Sequence, residues 1–110
     1  MNEPAHKLTF TFAEYLEQER VSATKHELVH GEIFAMAGGT IEHGRLASRV
    51  TTALGAQLRG RPCETYSSDV RIRVLATGLA TYPDLSVVCG RLEPDPADAN
   101  TFINPIVLVE

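Results

Sequence analysis

Tyr82-Pro83-Asp84-Leu85-Ser86-Val87-Val88-Cys89 and Ile106-Val107-Leu108-Val109-Glu110 are the two stretches that decide how this chain reads. Each is a short apolar run rich in β-branched residues, with a proline just before it, and each reads as a buried strand. Each also carries one acid: Asp84 heads the first run and Glu110 ends the second. A carboxylate embedded in such a run costs several kcal/mol to bury unless something pairs it. Two acids of like charge on neighbouring strands are best satisfied by one shared divalent cation. The expectation is therefore that Asp84 and Glu110 meet at one sheet edge, with Asp69 or Glu27 nearby as auxiliary acids. Their crowding would raise the apparent pKa of the pair.

Outward from these runs, the chain divides into short elements. Residues 1–8 read as a loose lead-in, which holds His6. Thr11 followed by Glu14 fits a capping box, and Phe12, Tyr15 and Leu16 give a short amphipathic helix to about Glu19. Leu28-Val29 and Ile33-Phe34-Ala35-Met36 flank His30-Gly31, a tight hairpin turn, and Gly38-Gly39 breaks the second strand. From Ile41 to Leu58, Leu46, Val50, Leu54 and Leu58 recur every four residues, which predicts a long helix closed by Gly60 and Pro62. Cys63 to Tyr66 reads as a strand, and Val70, Ile72 and Val74 alternate with Arg71 and Arg73 as a half-buried one. Residues 76–81 read as a hairpin-like turn region and 90–104 as a surface loop. The order predicts an α+β domain, a single one over residues 1–110, with the long helix packed on a mostly antiparallel sheet.

At 110 residues and 44% apolar, the chain has material for one core. A net charge of −4 argues against a surface coated for nucleic acid. Locally, six arginines at 45, 49, 59, 61, 71 and 73 face only Glu64 and Asp69. That middle is compatible with phosphate contacts and equally with a solvated face; Arg71 and Arg73 carry the same ambiguity. Cys63 and Cys89 lack a CxxC spacing and read as small core residues, which favours a reduced, cytoplasmic setting. No targeting leader and no run of membrane-spanning length is visible.

His26-Glu27-Leu28-Val29-His30 spells H-E-x-x-H, the zinc hydrolase signature. That chemistry needs both histidines one turn apart on a helix. Here Gly31 follows at once and the next residues alternate as a strand. On a strand, positions 26 and 30 stand about 13 Å apart, too far for one zinc. His43, in the first turn of the long helix, reads as a capping or surface residue, or else as a site residue at the sheet edge.

Taken together, His26–Met36, Glu42–Leu58, Ser67-Ser68-Asp69-Val70-Arg71-Ile72, Tyr82-Pro83-Asp84-Leu85-Ser86-Val87 and Asn104–Glu110 resemble the Uma-type restriction endonucleases, of the PD-(D/E)xK nuclease superfamily. The resemblance covers nearly the whole chain from about Leu8. It implies a restriction-endonuclease-like core and DNA as partner. It also implies hydrolysis of phosphodiester bonds with Mg²⁺ or Mn²⁺. Pro83-Asp84 matches the PD element and Glu110 the (D/E) element, so Asp84 and Glu110 are the implied metal ligands. Glu27, His43 and Asp69 match further family positions. Family members continue past the Glu into a second helix bearing a catalytic Lys and then another strand. This chain has no Lys after Lys25, so the expectation is the N-terminal part of such a domain, with the last helix and strand missing.

Three readings of function follow. The first is a metal-dependent DNA endonuclease of the PD-(D/E)xK type, with a homodimer compatible. The second is a nuclease-like fragment or interaction module without catalysis. The third is a zinc hydrolase using residues 26–30.

Overall fold

The computed structural model describes residues 9–110; the lead-in expected over residues 1–8, with His6, lies outside them. Helix α1 (Phe12–Arg20) begins at the expected capping box. Thr11 Oγ1 accepts from the Glu14 N–H at 3.1 Å, and Glu14 Oε1 accepts from the Thr11 N–H at 2.8 Å. Two otherwise orphaned helix-end donors are thus satisfied. The helix buries Phe12 and Tyr15 against Leu28 and Ala80, the first of two small cores.

Strands β1 (His26–Val29) and β2 (Glu32–Ala35) form the hairpin, with Leu28 opposite Ile33. His30 (φ 50°) and Gly31 (φ 81°) fill the two-residue turn. Positive φ at both central positions matches the right-handed strand twist. A side chain at Gly31 would also meet Thr9 Cβ at 2.9 Å. The H-E-x-x-H segment is therefore strand and turn, which removes the helical geometry the zinc reading requires. His26 Nδ1 donates instead to Glu19 Oε1 at 3.0 Å.

Helix α2 (Ile41–Gln57) starts at Thr40, whose Oγ1 accepts from the His43 N–H at 3.0 Å. It corrects one expectation: it buries no residue, and Ile41, Leu46 and Val50 are exposed. Amphipathic spacing tells which face is apolar, not what covers it.

The remaining strands are β3 (Cys63–Ser67), β4 (Arg71–Val74), β5 (Leu79–Thr81), β6 (Leu85–Cys89), β7 (Pro94–Asp95), β8 (Asp98–Phe102) and β9 (Val107–Val109). They make two sheets, ordered β2-β1-β5-β4-β8-β7 and β3-β6-β9. All pairings are antiparallel except β4 with β8. The sheets meet through a second core of Ile72, Val88 and Phe102, with Tyr66 against Phe102 at 5.4 Å between ring centroids.

Three further expectations are corrected. The turn expected at 76–81 is shorter, and Leu79–Thr81 is an interior strand between β1 and β4. The expected surface loop at 90–104 holds β7 and β8, with Thr101 and Phe102 buried. Arg71 and Arg73 explain that burial, because neither is a solvated strand residue. Arg71 donates to Thr101 Oγ1 (2.8 Å), the Tyr82 hydroxyl (2.7 Å) and Asp98 Oδ2 (2.6 Å). Arg73 reaches Asp95 Oδ2 at 3.2 Å, with Asp95 itself buried. Burial works against the Asp98 carboxylate, but hydrogen bonds from Thr101 and Arg71 outweigh it and hold its pKa below the usual range. Lastly, Cys63 and Cys89 are not separate thiols. They stand opposite each other in the β3–β6 ladder, joined as a disulfide.

Candidate active site

The chain passes from the six-stranded sheet to the three-stranded one through Tyr82-Pro83-Asp84. Pro83 is fully buried, and a proline demands no partner for a backbone N–H there. Tyr82 anchors one end of this tether: its hydroxyl donates to Glu19 Oε2 at 2.8 Å and accepts from Arg71. Leu85, 1% exposed, anchors the other. Asp84 is left between them, its side chain three-quarters buried.

Strands β6 and β9 pair with Leu85 opposite Val109 and Val87 opposite Val107. Continued by one residue, that register would bring Asp84 opposite Glu110. Directly opposed residues of an antiparallel pair project from the same face. Desolvation pushes the Glu110 carboxyl above the ordinary carboxylate range. The negative charges of Asp84 and Glu27 push it further, against smaller lowering contributions from the Asp84 backbone and from His43.

Two more groups reach the same place from different elements. His43, in the first turn of α2, sets its Nε2 2.9 Å from Asp84 Oδ1. A carboxylate only accepts, so Nε2 is the donor. Glu27, on β1, is held by Thr81 on β5, whose hydroxyl donates to Glu27 Oε2 at 2.9 Å. Lys25, Glu27, His43, Tyr82, Asp84 and Glu110 line a common cavity of about 810 Å³. Asp69 does not line it. Its side chain is 86% exposed on the β3–β4 turn, and Oδ1 lies 3.5 Å from Lys25 Nζ. Among the described residues, no group of three or more His, Cys, Asp or Glu side chains is arranged to hold a metal ion.

Of the five residues matched to family site positions, Glu27, His43, Asp84 and Glu110 thus share one cavity, and Asp69 sits outside it beside Lys25. Sequence reasoning passed over Lys25, Thr81 and Tyr82 as members of this site. Thr81 is 54 residues from the Glu27 it holds, and no local pattern announces such a partner. Tyr82 carried the one available signal, because a buried tyrosine needs a partner for its hydroxyl.

Residues 12–110 match the Uma2 family, described as "Putative restriction endonuclease". The chain belongs to the Uma2 family. Its α+β architecture of two helices and mixed sheets is consistent with a restriction-endonuclease-like fold. Two relatives from Synechocystis sp. (strain ATCC 27184 / PCC 6803 / Kazusa) are similar to it. The uncharacterized protein slr1290 is 37% identical over 98 residues, which is 88% of this chain and 50% of that protein. The uncharacterized protein sll1609 is 29% identical over 100 residues, 91% of this chain and 56% of that protein. The Uma2 chain thus spans about half the length of these relatives. No solved structure matches it. Among the described residues no helix is long and apolar enough to cross a membrane.

Proposed function

We propose that the cavity is the phosphodiester-hydrolysing site of a DNA endonuclease of the PD-(D/E)xK type, using Mg²⁺ or Mn²⁺. One observation supports this reading: Glu27, His43, Asp84 and Glu110 line one cavity, with His43 holding one Asp84 oxygen. The donor chemistry fits a hard cation, since Mg²⁺ takes one or two carboxylates and keeps its remaining positions for water and phosphate oxygens. Such a cation, when bound, polarises the phosphate and lowers the pKa of an attacking water. The chain's own part is positioning. His43 occupies Asp84 Oδ1 and leaves Oδ2 for a ligand; Thr81 occupies Glu27 Oε2 and leaves Oε1. The charges of Asp84 and Glu27 disfavour ionisation of Glu110, and a bound cation would relieve that. Asp69 acts from outside, through Lys25.

In this reading the chain supplies the metal-binding part of one restriction-endonuclease-like domain, and cutting both strands of a duplex brings in a second copy. A cytoplasmic location goes with DNA as substrate. The Cys63–Cys89 bridge speaks against it, because cytosolic thiols are kept reduced. A second reading is a nuclease-like module without catalysis.

Calorimetric titration of Mn²⁺ into the wild type, Asp84→Asn and Glu110→Gln, beside plasmid cleavage, separates the two. The nuclease reading expects Mn²⁺ binding in the wild type, at least about tenfold weaker in each variant. For a chain extended through the Lys-bearing helix it also expects metal-dependent nicking that Asp84→Asn abolishes. Equal Mn²⁺ affinity in all three proteins would overturn the ligand assignment. No binding by the wild type, or binding without cleavage by the extended chain, would favour the non-catalytic module.

A further inference from the structure

Lys25 is the sole lysine or arginine among the described residues that line the cavity. Its backbone is fixed, because its carbonyl accepts from the Met36 N–H at 3.0 Å and so extends the β1–β2 hairpin by one step. Its ammonium donates to the Ser68 carbonyl at 2.7 Å and stands 5.3 Å from the centroid of the Tyr82 ring. Asp69 is its one ion-pair partner among the described residues, at 3.5 Å, and with a carboxylate 86% exposed that pair is screened and weak. An ammonium has three donors. At most two are engaged here, and the weaker of them is readily exchanged.

A phosphodiester entering this cavity meets the carboxylates of Glu27, Asp84 and Glu110. A divalent cation offsets two of those charges, and one remains to repel the substrate. Arg71 and Arg73 are committed elsewhere, Arg71 to Asp98, Thr101 and Tyr82, and Arg73 to Asp95. His43 is engaged by Asp84.

We propose that Lys25 is the phosphate-binding residue of the cavity, donating its free N–H to a non-bridging oxygen of a DNA backbone phosphate beside Asp84 and Glu110. The inference rests on the nuclease reading above and adds a substrate contact on the N-terminal side of the motif acids. Lysine binds phosphate as a point charge on a flexible stem, which suits a group that must exchange Asp69 for substrate. The purely structural alternative is that Lys25 only straps the Ser67–Asp69 turn to the hairpin.

Fluorescence anisotropy with a short labelled DNA duplex, at a series of salt concentrations and with Ca²⁺ present, distinguishes the two roles. One lost phosphate contact lowers the slope of log K against log salt by about 0.9. Lys25→Gln should show that drop and weaker binding, Lys25→Arg should keep the wild-type slope, and Mn²⁺ affinity should not fall in either. An unchanged slope in Lys25→Gln, with or without a lower melting temperature, would overturn the inference while leaving the nuclease reading intact. A wild-type protein that binds no duplex would overturn both.

Discussion

Replacing Tyr82 by Phe removes one oxygen from the centre of the site's support and leaves the ring in place. The Tyr82 hydroxyl donates to Glu19 Oε2 (2.8 Å) and accepts from Arg71 Nη1 (2.7 Å), so both lost hydrogen bonds are to charged partners. Bonds of that kind contribute about 1.5–3 kcal/mol each. Neither partner is stranded by the change: Glu19 keeps the His26 N–H and ring, and Arg71 keeps Asp98 and Thr101. The low end of the range therefore applies, and the expected loss is about 3 kcal/mol for the pair. For a domain of this size that corresponds to a melting temperature lower by about 12–24 °C. The chain has no tryptophan, so urea unfolding followed by far-ultraviolet circular dichroism is the suitable assay. A double-mutant cycle with Glu19→Gln should show coupling of about 0.5–3 kcal/mol. Mn²⁺ affinity should fall too, because Tyr82 anchors the tether that holds Asp84. A loss within about 0.5 kcal/mol, as for an ordinary surface change, or strict additivity with Glu19→Gln would refute the reasoning.

The remaining predictions concern pH and redox state. The Glu110 carboxyl has a raised pKa, so the folded protein holds its proton more tightly than the unfolded chain does. Stability should then fall as pH climbs from the ordinary carboxylate range through the raised value, and stay lowered at neutrality. Glu110→Gln should thus melt higher than the wild type at pH 7 without metal, and equally below the ordinary carboxylate range; a lower melting temperature at pH 7 would contradict the assignment. The Cys63–Cys89 bridge closes a loop with a sequence separation of 26, for which chain entropy gives about 3.5 kcal/mol of stabilisation. Melting with and without a phosphine reductant should show that difference, and the Cys63→Ser/Cys89→Ser double variant should be insensitive to reductant.

What the sequence discloses about this fold is what short-range chemistry determines. Thr11 with Glu14 marks the start of α1, His30-Gly31 marks the hairpin, and leucine spacing marks α2, because each signal lies within a few residues of its effect. Strands β7 and β8 escaped notice for a physical reason. Their burial rests on Asp95 and Asp98 meeting Arg73 and Arg71, so residues that read as loop acids are the means of entry into the sheet. The disulfide was equally hidden, since only the β3–β6 register brings Cys63 opposite Cys89. In the candidate site, Asp84 and Glu110 were legible because an acid in an apolar run is costly wherever it folds. Lys25 and Thr81 carry no such mark, because a lysine before a strand and a threonine ending one are ordinary until their partners are known.

The position of the cavity follows from the same topology. Glu27 comes from the six-stranded sheet, Glu110 follows the last strand of the three-stranded one, and Asp84 lies on the segment that joins them. Their mutual geometry is therefore set by how the two sheets dock, and the docking rests on the cluster of Ile72, Val88 and Phe102. Asp84 is the member best insulated from any slip, because the chain is fixed on both sides of it: Tyr82 to Glu19 of α1 and Arg71 of β4, Leu85 opposite Val109 in the three-stranded sheet. Glu110 follows β9, whose Val107 and Leu108 are exposed. The two acids thus carry unequal burdens: Asp84 is the rigid reference point, and Glu110 is the carboxylate whose position depends on the integrity of an exposed strand.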